Sequence, residues 1–120
     1  MKMQTILGNP PSKSNCYKIV TIRGHGSLAK TDKLNKYRES FFMQCGEYRN
    51  KMITGFFELY INAYLTSLSQ DLDNILKEIL DSLAACNAIK NDNRCVKIVA
   101  QKFQDKVNPR IEFELKEVKL

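Results

Sequence analysis

Four side chains in the second half of the chain have the types and spacing to act on a phosphate ester. Asp71 and Asp73 stand in the run Asp71-Leu72-Asp73-Asn74-Ile75-Leu76-Lys77, and Asp92 follows in a polar stretch beyond it. Leu72 and Ile75 claim the apolar face of a helix, so the two carboxylates point elsewhere, and Asp73 and Lys77, four apart, share one side. Were the next strand to lie beside the one ending near Tyr64, Asp92 would return to the mouth of this helix and three carboxylates would converge. Like charges so close raise one another's pKa values and strain the fold. A hard divalent cation relieves them, and carboxylate oxygens suit Mg²⁺. Such a cation polarises a phosphodiester and orients water, while the Lys77 ammonium offsets charge in the transition state. Each residue also has a plainer role open to it. Asp71 can cap the helix. Asp73 can pair with Lys77, and acids in a first turn gain about 0.3–1 kcal/mol from the helix dipole. Asp92, between Asn91 and Asn93, can shape a turn.

The elements that must position these residues follow from periodicity. Leu72, Ile75, Leu76, Ile79, Leu80 and Leu83 give the clearest helical period, over 72–86, with Asn87 as terminator. An earlier helix opens at Thr31 or Asp32 and carries Leu34, Tyr37, Phe41, Cys45 and Tyr48 on one stripe. Between them, 52–64 reads as an inner strand, with Ile53, Phe57, Leu59 and Ile61 on one parity and Phe56, Tyr60 and Tyr64 on the other. Residues 2–7 and 16–23 read as strands, 27–30 as a segment that pairs back, and 94–103 and 110–118 as two closing strands around a turn at Asp105, Asn108 and Pro109. The predicted order is β-β-(β)-α-β-α-β-β: an α+β fold, one domain over 1–120, a mixed sheet with two helices packed on it.

Composition narrows the function classes. The chain has 120 residues, 43% hydrophobic and 27% charged, and its net charge is +6. Residues 1–70 carry 10 basic and 4 acidic side chains, whereas 71–120 carry 9 of each. The basic excess suggests a polyanionic partner such as nucleic acid, with solubility as the plainer account. Lys13, Lys18, Arg23, Lys30, Lys33 and Lys36 are the side chains that would track phosphates. No apolar run reaches the ~20 residues of a membrane span, and Met1 to Asn9 lacks the core of a signal peptide, so a cytoplasmic location is expected. Cysteines at 16, 45, 86 and 95 form no C-x-x-C pair, and free thiols are the reading. The single histidine, His25, falls in Gly24-His25-Gly26-Ser27, read as a solvated turn.

The chain resembles the RusA family of Holliday-junction resolvases nearly end to end. An opening strand leads into Pro10-Pro11-Ser12, like the family's Pro-Pro-Ser/Thr loop. The run 71–77 matches its D-x-D-N-x-x-K helix start, and Asn91-Asp92 stands before a Val-bearing strand where the family has Asp-Asp-x-x-Val. The resemblance implies a homodimeric Mg²⁺-dependent endonuclease acting on four-way DNA junctions in recombination and repair, in a bacterial or phage-infected cell. It assigns Asp71, Asp73 and Asp92 to the metal, and Lys77 to catalysis beside them. It makes Asn15 a candidate DNA contact; Lys13 and Lys18, from the basic half, and Asn74 are the others. Three positions depart from the pattern: Asn91 replaces an Asp, Ser14 precedes Asn15, and 66–70 lacks basic residues. These departures leave a second reading, a non-catalytic DNA-binding protein that keeps the fold.

Overall fold

The computed structural model of the protein describes residues 2–11, 17–22, 25–30 and 32–119, with backbone alone for 17–22 and 25–30. Nine residues of alternating burial explain why the centre of the chain is a strand. In β4 (Phe57–Leu65), Phe57, Leu59, Ile61, Ala63 and Leu65 are buried, while the residues between them are half-buried. This is the inner strand expected, although it begins later than 52. Asn50 and Met52 take left-handed backbone, and Ile53 makes only an isolated bridge to Ile89. β1 (Gln4–Leu7), β5 (Cys95–Gln104) and β6 (Arg110–Glu117) complete a four-stranded mixed sheet of order β1-β6-β4-β5. β6 runs antiparallel to β1 and β4, whereas β5 runs parallel to β4.

β2 (Tyr17–Ile22) and β3 (His25–Lys30) form a separate antiparallel hairpin. The segment 27–30 does pair back, but the hairpin stands apart from the main sheet. His25 and Gly26, read from the sequence as part of a turn, belong instead to β3, where they pair with Ile22 and Thr21.

Helices α1 (Asp32–Gln44) and α2 (Leu72–Ala85) cover one face of the sheet. Leu34, Tyr37, Phe41, Cys45 and Tyr48 are all buried, so the stripe continues through the short 3₁₀ turn Gly46–Tyr48. Phe113 is the hub: its ring lies 5.7 Å from that of Phe41 and 5.0 Å from that of Tyr48. The Tyr48 hydroxyl donates to the Lys2 carbonyl at 2.7 Å and accepts from the Leu115 amide at 3.2 Å, so this buried phenol is satisfied. From α2, Ile75, Ile79 and Leu83 enter the same core. Asn87 ends α2 in left-handed backbone, as its residue type suggested. Cys45, Cys86 and Cys95 are free thiols. Among the described residues no helix is long and apolar enough to cross a membrane.

Candidate active site

The β4–α2–β5 unit decides where the candidate residues lie. A parallel strand pair needs a crossover, and here α2 supplies it. The helix therefore starts at the Leu65 end of β4 and returns toward the Phe57 end, where Cys95 begins β5. Three backbone bonds pin its far end: Asn50 and Met52 amides donate to the Cys86 and Asn87 carbonyls, and Ile53 donates to Ala88.

At the near end, residues 66–70 form a loop braced from three sides. Lys102, from β5, donates to the Leu68 carbonyl at 2.7 Å and the Gln70 carbonyl at 3.1 Å. Asn9 accepts from the Thr66 amide at 3.0 Å and donates to the Gln70 side chain at 3.2 Å. Gln70 in turn donates to the Pro10 carbonyl. Asp71 follows as the N-cap, in extended backbone, and its carbonyl accepts from the Ile75 amide at 3.2 Å. Its carboxylate makes no capping bond. Asp73 lies in the first turn, and both carboxylates are exposed. Among the described residues neither has a hydrogen-bond or ion-pair partner, and Asp73 and Lys77 form no ion pair, so capping and pairing are not used, while Asp73 keeps the dipole gain of a first-turn acid. Asn74 is half-buried and Lys77 exposed on the turns that follow. A helix start with uncapped amides and free carboxylates offers an anion its N–H groups and a cation its oxygens.

Asp92 is elsewhere. It opens the 3₁₀ turn Asp92–Arg94 at the far end of α2, exposed, while Asn91 accepts from the Asn93 amide at 3.0 Å. The strand after it does lie beside β4, as anticipated, but its parallel direction carries Asp92 away from the helix mouth. The separation is the length of α2, about 20 Å for fourteen residues. Among the described residues no three acidic, His or Cys side chains gather as a metal site. The convergence of three carboxylates within one chain is therefore corrected: Asp71 and Asp73 lie together, and Asp92 lies apart. Lys13 and Asn15 fall outside the described residues, as does the side chain of Lys18 on β2. Sequence reading passed over Lys102, Asn9 and Gln70. The signal was there for Lys102, since it sits opposite Ala63, on the parity that faces the helices.

The chain matches the family described as Endodeoxyribonuclease RusA over residues 8–116, nearly its whole length. It belongs to the RusA family. No curated protein matches it. The RusA match takes in the Pro10–Pro11 loop that receives Gln70, all of α2 and Asp92. Membership places the chain in an endodeoxyribonuclease family, and the braced start of α2 presents two carboxylates, Asp71 and Asp73, without partners among the described residues.

Proposed function

We propose that this RusA-family chain is a Mg²⁺-dependent endonuclease that resolves four-way DNA junctions by phosphodiester hydrolysis. It would act as a homodimer in recombination and repair, in the cytoplasm of a bacterial or phage-infected cell. The observation that carries the reading is the pair of unpartnered carboxylates, Asp71 and Asp73, at a helix start held by Lys102, Asn9 and Gln70. An all-oxygen donor set fits Mg²⁺, and two carboxylates are what such sites commonly take from one chain. Asp92 completes the set when a second copy brings it to the helix mouth. When bound, Mg²⁺ supplies Lewis-acid polarisation of the phosphodiester. The chain's own groups do the rest. Asp71 and Asp73 hold the cation, the first-turn amides receive a phosphate oxygen, and Lys77 offsets the charge that develops in the transition state. Asn74, Lys13, Lys18 and Asn15 serve as DNA contacts.

A synthetic four-way junction tests this. Wild type should cut it only with Mg²⁺. Asp71→Asn, Asp73→Asn and Asp92→Asn should bind and not cut. Lys77→Ala should cut roughly a hundredfold more slowly at unchanged affinity. Near-normal cutting by Asp73→Asn would sink the assignment. One observation favours the rival, a DNA-binding protein without activity: among the described residues, a single copy brings together only two of the three carboxylates. Salt-dependent junction binding by wild type, with no cutting in any metal, would establish that rival.

A further inference from the structure

The face of the sheet away from the helices carries a stack of planar groups. Register places Arg110, Tyr64 and Phe103 in one row across β6, β4 and β5. The Tyr64 and Phe103 rings are stacked, 4.9 Å between centroids and 16° between planes. The Arg110 guanidinium carbon lies 3.9 Å from the Tyr64 ring centre. Asp105 and Glu112 hold that guanidinium at 3.0 Å each. Because β5 is the edge strand, no strand of the described residues stands beyond Phe103, which is half-buried.

The same edge is basic. From Arg94 to Gln104 there are Arg94, Lys97 and Lys102 and no acid. The cations sit beside rings: Arg94 is 5.0 Å from the centre of Phe56 and Lys97 is 5.9 Å from that of Tyr60. Of the acids near this face, Glu58, Glu112 and Glu114 lie on β4 and β6, inside the edge, and Asp105, just past the end of β5, is paired with Arg110. Aromatic plates flanked by cations are how single-stranded nucleic acid is held. Position completes the argument. Lys102, the residue before Phe103, braces the loop that leads to Asp71.

We propose that Phe103 is a stacking platform for an unpaired base at the branch point, with Lys97 and Arg94, about 20 and 30 Å back toward the start of β5, contacting phosphates farther along the same DNA strand. The inference rests on the branched-DNA reading above. It assigns the exposed edge of β5 to nucleic acid rather than to a second copy of the chain.

The test uses the full chain, without metal, on a four-way junction carrying 2-aminopurine at the branch point. Emission should rise severalfold on saturation with wild type. Phe103→Leu, which keeps apolar bulk but has no ring, should return emission to the free-junction level and slow cutting in Mg²⁺ roughly tenfold. Phe103→Tyr should restore both. Arg94→Gln and Lys97→Gln should each lower the slope of log affinity against log salt by about 0.7–0.9. Unchanged emission and cutting in Phe103→Leu, with binding intact, overturn this inference alone. So does a Phe103→Leu chain that loses its dimer mass, because the edge then belongs to a second copy. A wild type that binds no junction overturns the branched-DNA reading and this inference with it.

Discussion

Two buried side chains hold protons that the unfolded chain would release. The Tyr37 hydroxyl is buried with no hydrogen-bond partner among the described residues, and its pKa is raised by burial and then by the nearby Glu78 carboxylate. The Cys86 thiol is pushed up to about 12, first by burial and then by Cys45 beside it. In both cases the folded state binds the proton more tightly than the unfolded state does. Stability from these groups is therefore complete below the unfolded pKa, 9.0 for Cys86 and 10.0 for Tyr37, and falls as pH rises beyond it. Each group contributes a slope of up to about 1.4 kcal/mol per pH unit in its window. Denaturant melts at pH 7, 9 and 11 should show little change over the first step and a loss over the second. Tyr37→Phe removes a buried hydroxyl without a partner, so it should raise stability by about 1 kcal/mol at pH 7 and flatten the alkaline fall. A Tyr37→Phe chain less stable than wild type at pH 7 would show that the hydroxyl has a partner.

The two helices meet through charge as well as through apolar side chains. Glu78 is fully buried, and Arg38 of α1 donates to both its oxygens at 3.0 Å, while Ser82 donates at 2.8 Å. Arg38 also lies 3.7 Å from Asp81. Arg38→Met would leave the Glu78 carboxylate buried without its cation, at a cost of about 3–5 kcal/mol. The double variant Arg38→Met/Glu78→Leu should recover most of that, since an apolar pair of similar volume is often neutral. Chemical denaturation of the single and double variants measures both, and a double variant as unstable as the single would point to a role for the pair beyond its charge balance. This network was partly legible in the sequence. Glu78 and Ser82 fall on the helical stripe of Ile75, Ile79 and Leu83, so two polar residues at core positions announce a partner. Arg38 as that partner was not legible, because no period relates α1 to α2. The elements themselves were legible for the same local reason, since alternation and 3.6-residue periods are properties of the segment alone: α2, β5 and β6 lie within one residue of their predicted bounds, and β4 opens five residues late. Strand direction is not. The separation of the hairpin from the main sheet, and the parallel entry of β5, depend on which edges meet, and so the placement of Asp92 escaped the pattern.

At the scale of the whole molecule, the position of Asp92 sets the arithmetic of the site. Resolving a junction takes two opposed cuts, and a twofold dimer presents two equal sites to equivalent strands. In one copy, Asp71 and Asp73 stand at one end of α2 and Asp92 at the other, about 20 Å away. A twofold axis that reverses α2 against its counterpart would bring Asp92 of each copy toward Asp71 and Asp73 of the other. Each complete site would then be shared, and a lesion in either half would silence both sites of a homodimer. Mixing separates this from a site built within one chain. Asp73→Asn and Asp92→Asn homodimers should both be inactive. When the two are unfolded together and refolded, half of the dimers are mixed. In a mixed dimer one site gathers both lesions, while the other takes Asp71 and Asp73 from one copy and Asp92 from its partner, all intact. That dimer should nick one strand of a junction without resolving it, so nicked product should appear only in the mixture. Were the three carboxylates to act within a single chain, every site in the mixture would carry one lesion and no product would form. Light scattering on the same samples supplies the second requirement, a mass twice the 13.8 kDa of the chain.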